Sequence, residues 1–489
     1  MTIKNKVQLI TYPDSLGGDL KSLFHVLETH LSDIFSGGIH ILPPFPSSGD
    51  RGFAPLTYLQ IEPKFGTWED IRRIGEKYDI LLDLMVNHIS AKSDYFQDFL
   101  RNGRKSKYAD VFISIDKIWP ESDPSQEEIE KIFLRREEPF SSFTIKKTGE
   151  TEKIWTTFGK TNPSEQIDVD INSKITRQLF IEFLENFSRN NVKMVRLDAV
   201  GYVIKKPGTS CFFVEPEIFQ FLHWISDISK SLDIELLPEV HSHNSIQKKL
   251  AKNNYWIYDF ILPYIILDTM INGKNKKLYK YLEDRPTKQF TMLDCHDGIP
   301  LKPDLNGIYE SENAKKIVEI CLERGGNLSL IYSPKHRDAD GFDVHQIRGT
   351  YYSLLGCDDN AYLTARAIQF FTPGIPQVYY VGLLAGKNDI ERMKKNKDGR
   401  VINRHNYNLE EIDIEMRKDV VQRLLKLIRF RNEYTAFDGD FAVIETDENK
   451  IHLGWEIDDR KCSLKINLID NCSIIDYIND QGEPEQFIV

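Results

Sequence analysis

Eight short runs of apolar, β-forming residues recur along this chain, and helical patterns fill most of the intervals between them. They are VQLITY (7–12), GIHILPPF (38–45), ILLDLMVNH (80–88), VKMVRLDAV (192–200), IELLPEV (234–240), YWIYDFILP (255–263), FTMLDCHD (290–297) and PQVYYVG (376–382). Such alternation is the signature of βα units around a parallel sheet, and eight is the number that closes a barrel. The fold class expected is therefore α/β, a (β/α)8 TIM barrel. Between runs the helix signals are specific. In TWEDIRRIGEKY, Thr67 is placed as N-cap, with Glu69 and Asp70 in the first turn where the helix dipole favours acids.

Two intervals are too long for simple crossovers. Residues 89–172, after the third run, and 299–358, after the seventh, are expected as inserted rim domains, because loops that follow strands emerge at the C-terminal face of a barrel. Residues 1–88, 173–298 and 359–437 are left for the barrel. From 438 to 489 the segments FAVIETDENKIHLGWEI and KCSLKINLI alternate without helical period, so a small all-β domain is expected to close the chain.

A formal net charge of -11 over 489 residues argues against sequence-independent binding to a phosphate backbone, so nucleic acid is not an expected partner. The six cysteines show no CxxC or finger spacing, and a chain of this size does not need disulfide staples; reduced thiols are expected. The start, MTIKNKVQLITYPDS, has no apolar core of a signal peptide, and nowhere do about 18 apolar residues run together, so a cytoplasmic protein with no membrane partner is expected. A monomer or homodimer working on small molecules fits this picture. No phosphate-cradling GxxxxGKS, no GxGxxG after a strand and no calcium loop occurs, so no cofactor is expected.

Polar residues collect at the ends of four runs: His88; Arg196 with Asp198; Glu239 with His241; His296 with Asp297. Burying an unpaired carboxylate costs several kcal/mol, so an acid that ends an apolar strand has a partner or a use. Three acids at strand ends suit glycosidic bond chemistry, in which one carboxylate attacks the anomeric carbon, a second moves a proton, and charge stabilises an oxocarbenium-like transition state. Arg196, two residues before Asp198 on one strand face, is placed to hold that carboxylate ionised, and the apolar surroundings of Glu239 favour the protonated form of a general acid. Lone acids of this kind are more often caps or surface residues; the agreement of four strand ends is what carries weight. A metal site is the competing reading of the same histidines and acids, but no HExxH or HxH pair appears.

The segments DLMVNH, VRLDAV, LPEVH and LDCHDG, with QIDVD at 166–170, resemble the motifs of the α-amylase clan, glycoside hydrolase family thirteen. The match extends over nearly the whole chain to its sucrose phosphorylase branch through VQLITYPDSLG, GIHILPPFPSSGDRGFAP, VRLDAVGY, GTSCFFVEPE, PGIPQVYYVGLLAGKND and INRHNY. The resemblance implies a retaining double displacement with Asp198 as nucleophile, Glu239 as acid and base, and Asp297 as transition-state stabiliser. It implies contacts to the glucosyl unit from Asp50, His88, Arg196, His241, His296 and Arg404, with Phe53 as an aromatic platform. Core packing, loop caps and surface ion pairs are the plainer readings of these positions.

Two departures from the branch are informative. In LRREEPF, Arg135 stands where a proline is usual, ahead of Arg136 at the phosphate-binding position; in GFDVHQI, His345 stands where a tyrosine is usual, with Asp343 and Gln346 retained. A full charge and a titratable donor suit an anion, since arginine binds phosphate through paired hydrogen bonds. The resemblance is then closer to phosphorylases that take sucrose phosphorylated on its fructose. Lys131, Lys335, His336 and Arg337 are further cations of the same loops, more ordinarily a solvated face, and Glu137 and Glu138 are placed to neutralise the added charge. Unphosphorylated sucrose, glucosylglycerol or glucosylglycerate remain alternative substrates, hydrolysis an alternative outcome, and a catalytically inactive binding subunit the rival from another class.

Overall fold

The structure, a computed structural model, describes residues 3–121, 123–305, 307–309, 311–333, 341–396 and 398–489. Each of the eight predicted runs contains a strand: β1 (Gln8–Thr11), β2 (Gly38–Ile41), β3 (Ile80–Met85), β4 (Val192–Asp198), β5 (Glu235–Pro238), β6 (Ile257–Asp259), β7 (Gln289–Thr291) and β8 (Ile375–Tyr379). They form one parallel, nearly closed barrel in the order β6-β7-β8-β1-β2-β3-β4-β5. Chain order is thus conserved around the sheet, as repeated right-handed βα crossovers require. The strands are buried almost throughout, every residue of β3 and all but two of β4 included, which explains why they read as continuous apolar runs without alternation.

The chain divides into two compact units. The first comprises Ile41–Val240 and Ile331–Asp343. It carries β3, β4 and β5, the helix Trp68–Gly75 with a capping box between Thr67 and Asp70, and the elements that follow β3. His88 is not the last residue of β3. It opens a separate strand, His88–Ser90, paired antiparallel with Gln166–Asp168, so that the QIDVD motif lies against it. A hairpin, Phe140–Thr144 with Thr151–Trp155, and an aromatic cluster of Phe96, Phe99, Phe112 and Phe143 with centroids 4.8–5.7 Å apart give this stretch its own core.

One buried cation ties that stretch to the end of β4. The Lys205 ammonium, 2 % exposed, lies 2.7 Å from Asp168 Oδ2 and donates to Asn87 Oδ1 at 2.9 Å, to Thr157 Oγ1 at 3.2 Å and to the Tyr202 carbonyl. Asp168 in turn accepts from Thr157 N and from the Asn87 amide. A charge pair this deep holds only because nearly every donor and acceptor is used.

The second unit comprises Thr2–His40, His241–Leu330 and Val344–Val489. After β7 it holds a three-stranded antiparallel sheet, Ile299–Pro300, Val344–Arg348 and Asn327–Leu330, and the helix Ser311–Glu323. β7 ends at Thr291, well short of the predicted run to 297. The reason lies in Asp294, whose carboxylate is drawn 2.7 Å from the Arg366 guanidinium, itself fully buried and bonded to the Tyr362 hydroxyl. The chain therefore leaves the sheet early and delivers Cys295, His296 and Asp297 on a loop. A five-stranded antiparallel sheet from Asp440 to Ile488 closes the chain. Among the described residues no helix is long and apolar enough to cross a membrane.

Lys205→Met should lower stability by about 3 kcal/mol, because it strands the Asp168 carboxylate in the interior, and adding Asp168→Asn should return much of that loss. Chemical denaturation of the two variants beside the parent checks this; a double variant no more stable than Lys205→Met would refute the pairing.

Candidate active site

In the first unit the site is built around one guanidinium. Parallel register places Arg196 of β4 opposite Asp83 of β3, and the alternation of side chains puts Asp198 on the same face. Arg196 Nη1 lies 2.5 Å from Asp83 Oδ1 and 2.8 Å from Asp198 Oδ1, while Nη2 is 3.6 Å from Glu239 Oε1. Arg196 and Asp83 are sealed from solvent; Asp198 and Glu239 are 14 % and 10 % exposed at their side chains, so they are the members a ligand can reach.

Backbone geometry sharpens the arrangement. Ala199, directly after Asp198, has a positive φ of 53°, and its amide donates to Glu239 Oε2 at 2.9 Å, while Glu239 N donates to the Leu197 carbonyl at 3.0 Å. Non-glycine residues held in the left-handed region cost about 1 kcal/mol or more and gather at working sites. The same holds for the turn at Asp50 and Arg51, with φ of 45° and 50°, followed by Gly52 at 108°. A Cβ on Gly52 would stand 2.7 Å from the Pro43 carbonyl, so only glycine fits there. That turn delivers Phe53, 5 % exposed, whose ring centroid is 5.8 Å from the Arg196 guanidinium, and whose carbonyl accepts from His88 Nε2 at 2.9 Å. Burial lowers the His88 pKa, so the ring is a neutral donor at this position.

Asp83, Asp198 and Glu239 share the Arg196 guanidinium. Burial pushes the Asp198 carboxyl up to about 8; Arg196 pulls against this, and Glu239 and Asp83 push with it. The expectation that Arg196 simply holds Asp198 ionised is thus incomplete. The ion pair exists, but burial outweighs it and favours the protonated form of the Asp198 carboxyl.

The loop 134–138 also belongs to this unit. Arg135 lies 5.8 Å from the centroid of Phe158, with Nη1 donating weakly to the Tyr202 hydroxyl at 3.4 Å. Tyr202 stands in the turn immediately after β4, so Arg135 lies beside the segment that carries Asp198. Arg136 donates to the Thr161 carbonyl at 3.0 Å, to the Phe158 carbonyl at 3.3 Å and to Thr156 Oγ1 at 3.4 Å, all neutral acceptors. Glu137 and Glu138 are exposed. Lys131 pairs with Glu127 at 3.0 Å on an exposed helix. Lys335, His336 and Arg337 lie outside the described residues.

In the second unit Asp297 has the opposite surroundings to Asp198. Burial would raise its carboxyl, but His296, Arg400, Arg404 and His241 outweigh burial and hold it far below the usual range. Arg400 Nη1 and Arg404 Nη2 are each 3.6 Å from Oδ1, and His296 Nε2 is 3.8 Å from Oδ2. The backbone is pinned too: Asn403 Nδ2 donates to the carbonyls of Cys295 and Asp297 at 3.0 Å, and Arg404 Nε donates to the His296 carbonyl at 2.8 Å. His241 stacks on Phe260 at 3.9 Å, with Nδ1 3.5 Å from the buried Asp304 carboxylate. His345, 4 % exposed, lies 6.3 Å from His241 ring to ring; its Nδ1 donates to the Lys302 carbonyl at 2.7 Å, which fixes its tautomer. Gln346 follows on the same strand, and the carbonyl of Asp343, assigned to the first unit, accepts from Ile331 N.

Sequence reasoning missed Asp83, Lys205, Arg400 and Asn403. Asp83 carried a legible signal, a charge in an apolar run, of the kind that identified Asp198; Lys205, the first of two lysines ahead of Pro207, carried none. Arg400 and Asn403 carried none, because they matter only through where one loop folds back. Among the described residues no cluster of three or more His, Cys, Asp or Glu is arranged to hold a metal ion.

A parallel barrel with paired carboxylates at strand ends defines a class, and residues 5–284 match the model of the α-amylase catalytic domain; the chain belongs to the α-amylase family. Within that family its similarity is specific. It is 63% identical over 489 residues, the full length of both chains, to sucrose 6(F)-phosphate phosphorylase of Thermoanaerobacterium thermosaccharolyticum, and 44% identical over 447 residues, 91% of each chain, to sucrose phosphorylase of Streptococcus mutans. The crystal structure of sucrose 6F-phosphate phosphorylase from Thermoanaerobacter thermosaccharolyticum superposes with a TM-score of 0.99 at 63% identity, covering 100% of this chain and 99% of that one.

A carboxyl group whose value is raised on folding favours the folded state while protonated, and that contribution is lost as pH rises from about 4 through about 8. Asn cannot ionise. Asp198→Asn should therefore melt at a higher temperature than the parent at pH 8, with a clearly smaller gain at pH 5; equal gains at both pH values would show that Asp198 is not the group under strain.

Proposed function

We propose that the chain is a retaining phosphorylase that cleaves sucrose 6'-phosphate with inorganic phosphate, giving α-D-glucose 1-phosphate and fructose 6-phosphate. The observation that carries this reading is the end-to-end similarity to a protein of that activity. The geometry supports the reaction class. Asp198 attacks the anomeric carbon of the glucosyl unit as the bond to the fructosyl oxygen breaks, and Glu239 gives its proton to that oxygen. A phosphate oxygen then attacks the same carbon, the bond to Asp198 breaks, and Glu239 takes the proton from phosphate. Two inversions leave the α configuration intact.

Arg196 makes both steps feasible by stabilising whichever of Asp198 and Glu239 is ionised. Asp297, held ionised by its own arginines, is assigned to the charge that develops on the sugar ring. Asp50, Phe53, His88, His241, His296 and Arg404 are assigned to the glucosyl unit. Arg136, Asp343 and Gln346 are assigned to the acceptor region, and Arg135 and His345 to the phosphate on the leaving fructosyl unit. Two features of Arg135 support this: its place against Phe158 and Tyr202, beside the turn that follows Asp198, and a planar guanidinium fork that matches phosphate geometry.

Initial rates of glucose 1-phosphate release from sucrose 6'-phosphate and from sucrose, each in phosphate buffer, test the assignment. A preference of about tenfold or more, about 1.4 kcal/mol in the transition state, is expected for the phosphorylated sugar. Parity would return Arg135 and His345 to structural roles. Arg135→Pro and His345→Tyr, made singly, should each depress kcat/KM for sucrose 6'-phosphate much more than for sucrose; equal losses on both substrates would sink the phosphate assignment.

A further inference from the structure

Arg348 is a charged side chain with no part in the steps assigned to Asp198, Glu239 and Asp297. It ends the strand Val344–Arg348, facing Asn327 across the hairpin. Its Nε is sealed from solvent, and among the described residues its guanidinium makes no hydrogen bond and no ion pair within 4 Å. Leaving a guanidinium partly buried with its donors unused costs several kcal/mol, and side chains in that position usually await an acceptor.

The surroundings indicate which acceptor. Asp297 and Asp398 attract Arg348, and Arg400 and Arg404 repel it. Both carboxylates have other claims on them: Asp297 faces Arg400, Arg404 and His296, and Asp398 Oδ1 accepts from Arg400 N at 3.0 Å. Arg348, Arg400 and Arg404 thus bring three guanidinium groups to the neighbourhood of Asp297. Gly399 makes room for the guanidinium itself. A Cβ on Gly399 would stand 2.7 Å from Arg348 Nη1 and 2.5 Å from Asn327 Oδ1, while Asn327 Nδ2 donates to the Gly399 carbonyl at 3.0 Å and fixes that backbone in place. A planar fork whose donors are unused is suited to an oxyanion, which guanidinium binds through two parallel hydrogen bonds.

We propose that Arg348, with Arg400, forms an oxyanion subsite beside Asp297 that takes a phosphate group. The proposal rests on the phosphorylase reading, which brings phosphate to the protein in two forms: inorganic phosphate and the phosphate ester on the fructosyl unit. The chemistry of the subsite fits both, and experiment separates them.

The test uses the full chain and its Arg348→Met, Arg348→Gln and Arg348→Lys variants, with calorimetric titration by inorganic phosphate, fructose 6-phosphate and, as control, fructose. Arg348→Met and Arg348→Gln should weaken binding of at least one phosphate compound by about tenfold or more, with partial recovery in Arg348→Lys and no change for fructose. Weakening confined to inorganic phosphate makes this the acceptor site; weakening confined to fructose 6-phosphate makes it the site of the leaving sugar's phosphate. Affinities for both compounds unchanged within about twofold would overturn the proposal, even if kcat fell, because Arg348 would then act only through Asp297. Since the side chain has no hydrogen bond to lose, the Met and Gln variants should melt no lower than the parent, and unfolding of all three variants would overturn it as well. Release of glucose 1-phosphate by the parent protein reads the phosphorylase assignment separately, so failure of one does not pass for failure of the other.

Discussion

One guanidinium, that of Arg196, holds three carboxyl groups that would otherwise repel one another in a site almost closed to water. Removing it would take away the counter-charge these buried acids share, and weaken the ion network on which β3, β4 and β5 meet. The parallel register that sets Asp83 opposite Arg196 is therefore part of the chemistry as well as of the fold. Asp83, fully buried, anchors the guanidinium; Asp198 and Glu239 use what remains of its field. Burial and the two neighbouring acids favour the protonated form of Asp198 against the pull of Arg196, and carboxyl groups this close exchange protons readily.

Asp198 and Asp297 are the same side chain in two environments. Burial dominates at Asp198 and pushes its carboxyl up; at Asp297 the surrounding arginines and histidines outweigh burial and hold it down. This divergence assigns different work to each. A group near the point of exchanging its proton can alternate between free and bonded states, while a permanently ionised one serves as fixed charge. The strained backbone at Asp50, Arg51 and Ala199 shows that the chain gives up local stability around the first group.

The barrel was legible because its strands are buried on both faces, which leaves uninterrupted apolar runs whose number alone points to closure. The charges that interrupt those runs were legible for the same reason, and Arg196 and Asp198 were found that way. Asp83 lay in ILLDLM with the same signal and was passed over, since its partner is set by register between strands far apart in sequence. β7 was read too long because the pull of Arg366 on Asp294 is a tertiary effect with no local trace. Lys205, Asn403, Arg400 and Arg348 likewise act through loops that fold back, and no periodicity encodes a returning loop.

The proposed mechanism stands on one event: covalent glucosylation of Asp198, followed by release of the sugar to phosphate. Rapid quenching of Glu239→Gln with an α-glucosyl donor bearing a good leaving group, without phosphate, followed by peptide mass analysis, tests it most directly. One glucosyl residue is expected on the peptide that contains Asp198, discharged as α-glucose 1-phosphate in wild-type protein when phosphate is added. An adduct on another carboxylate, or release of the β anomer, would contradict it.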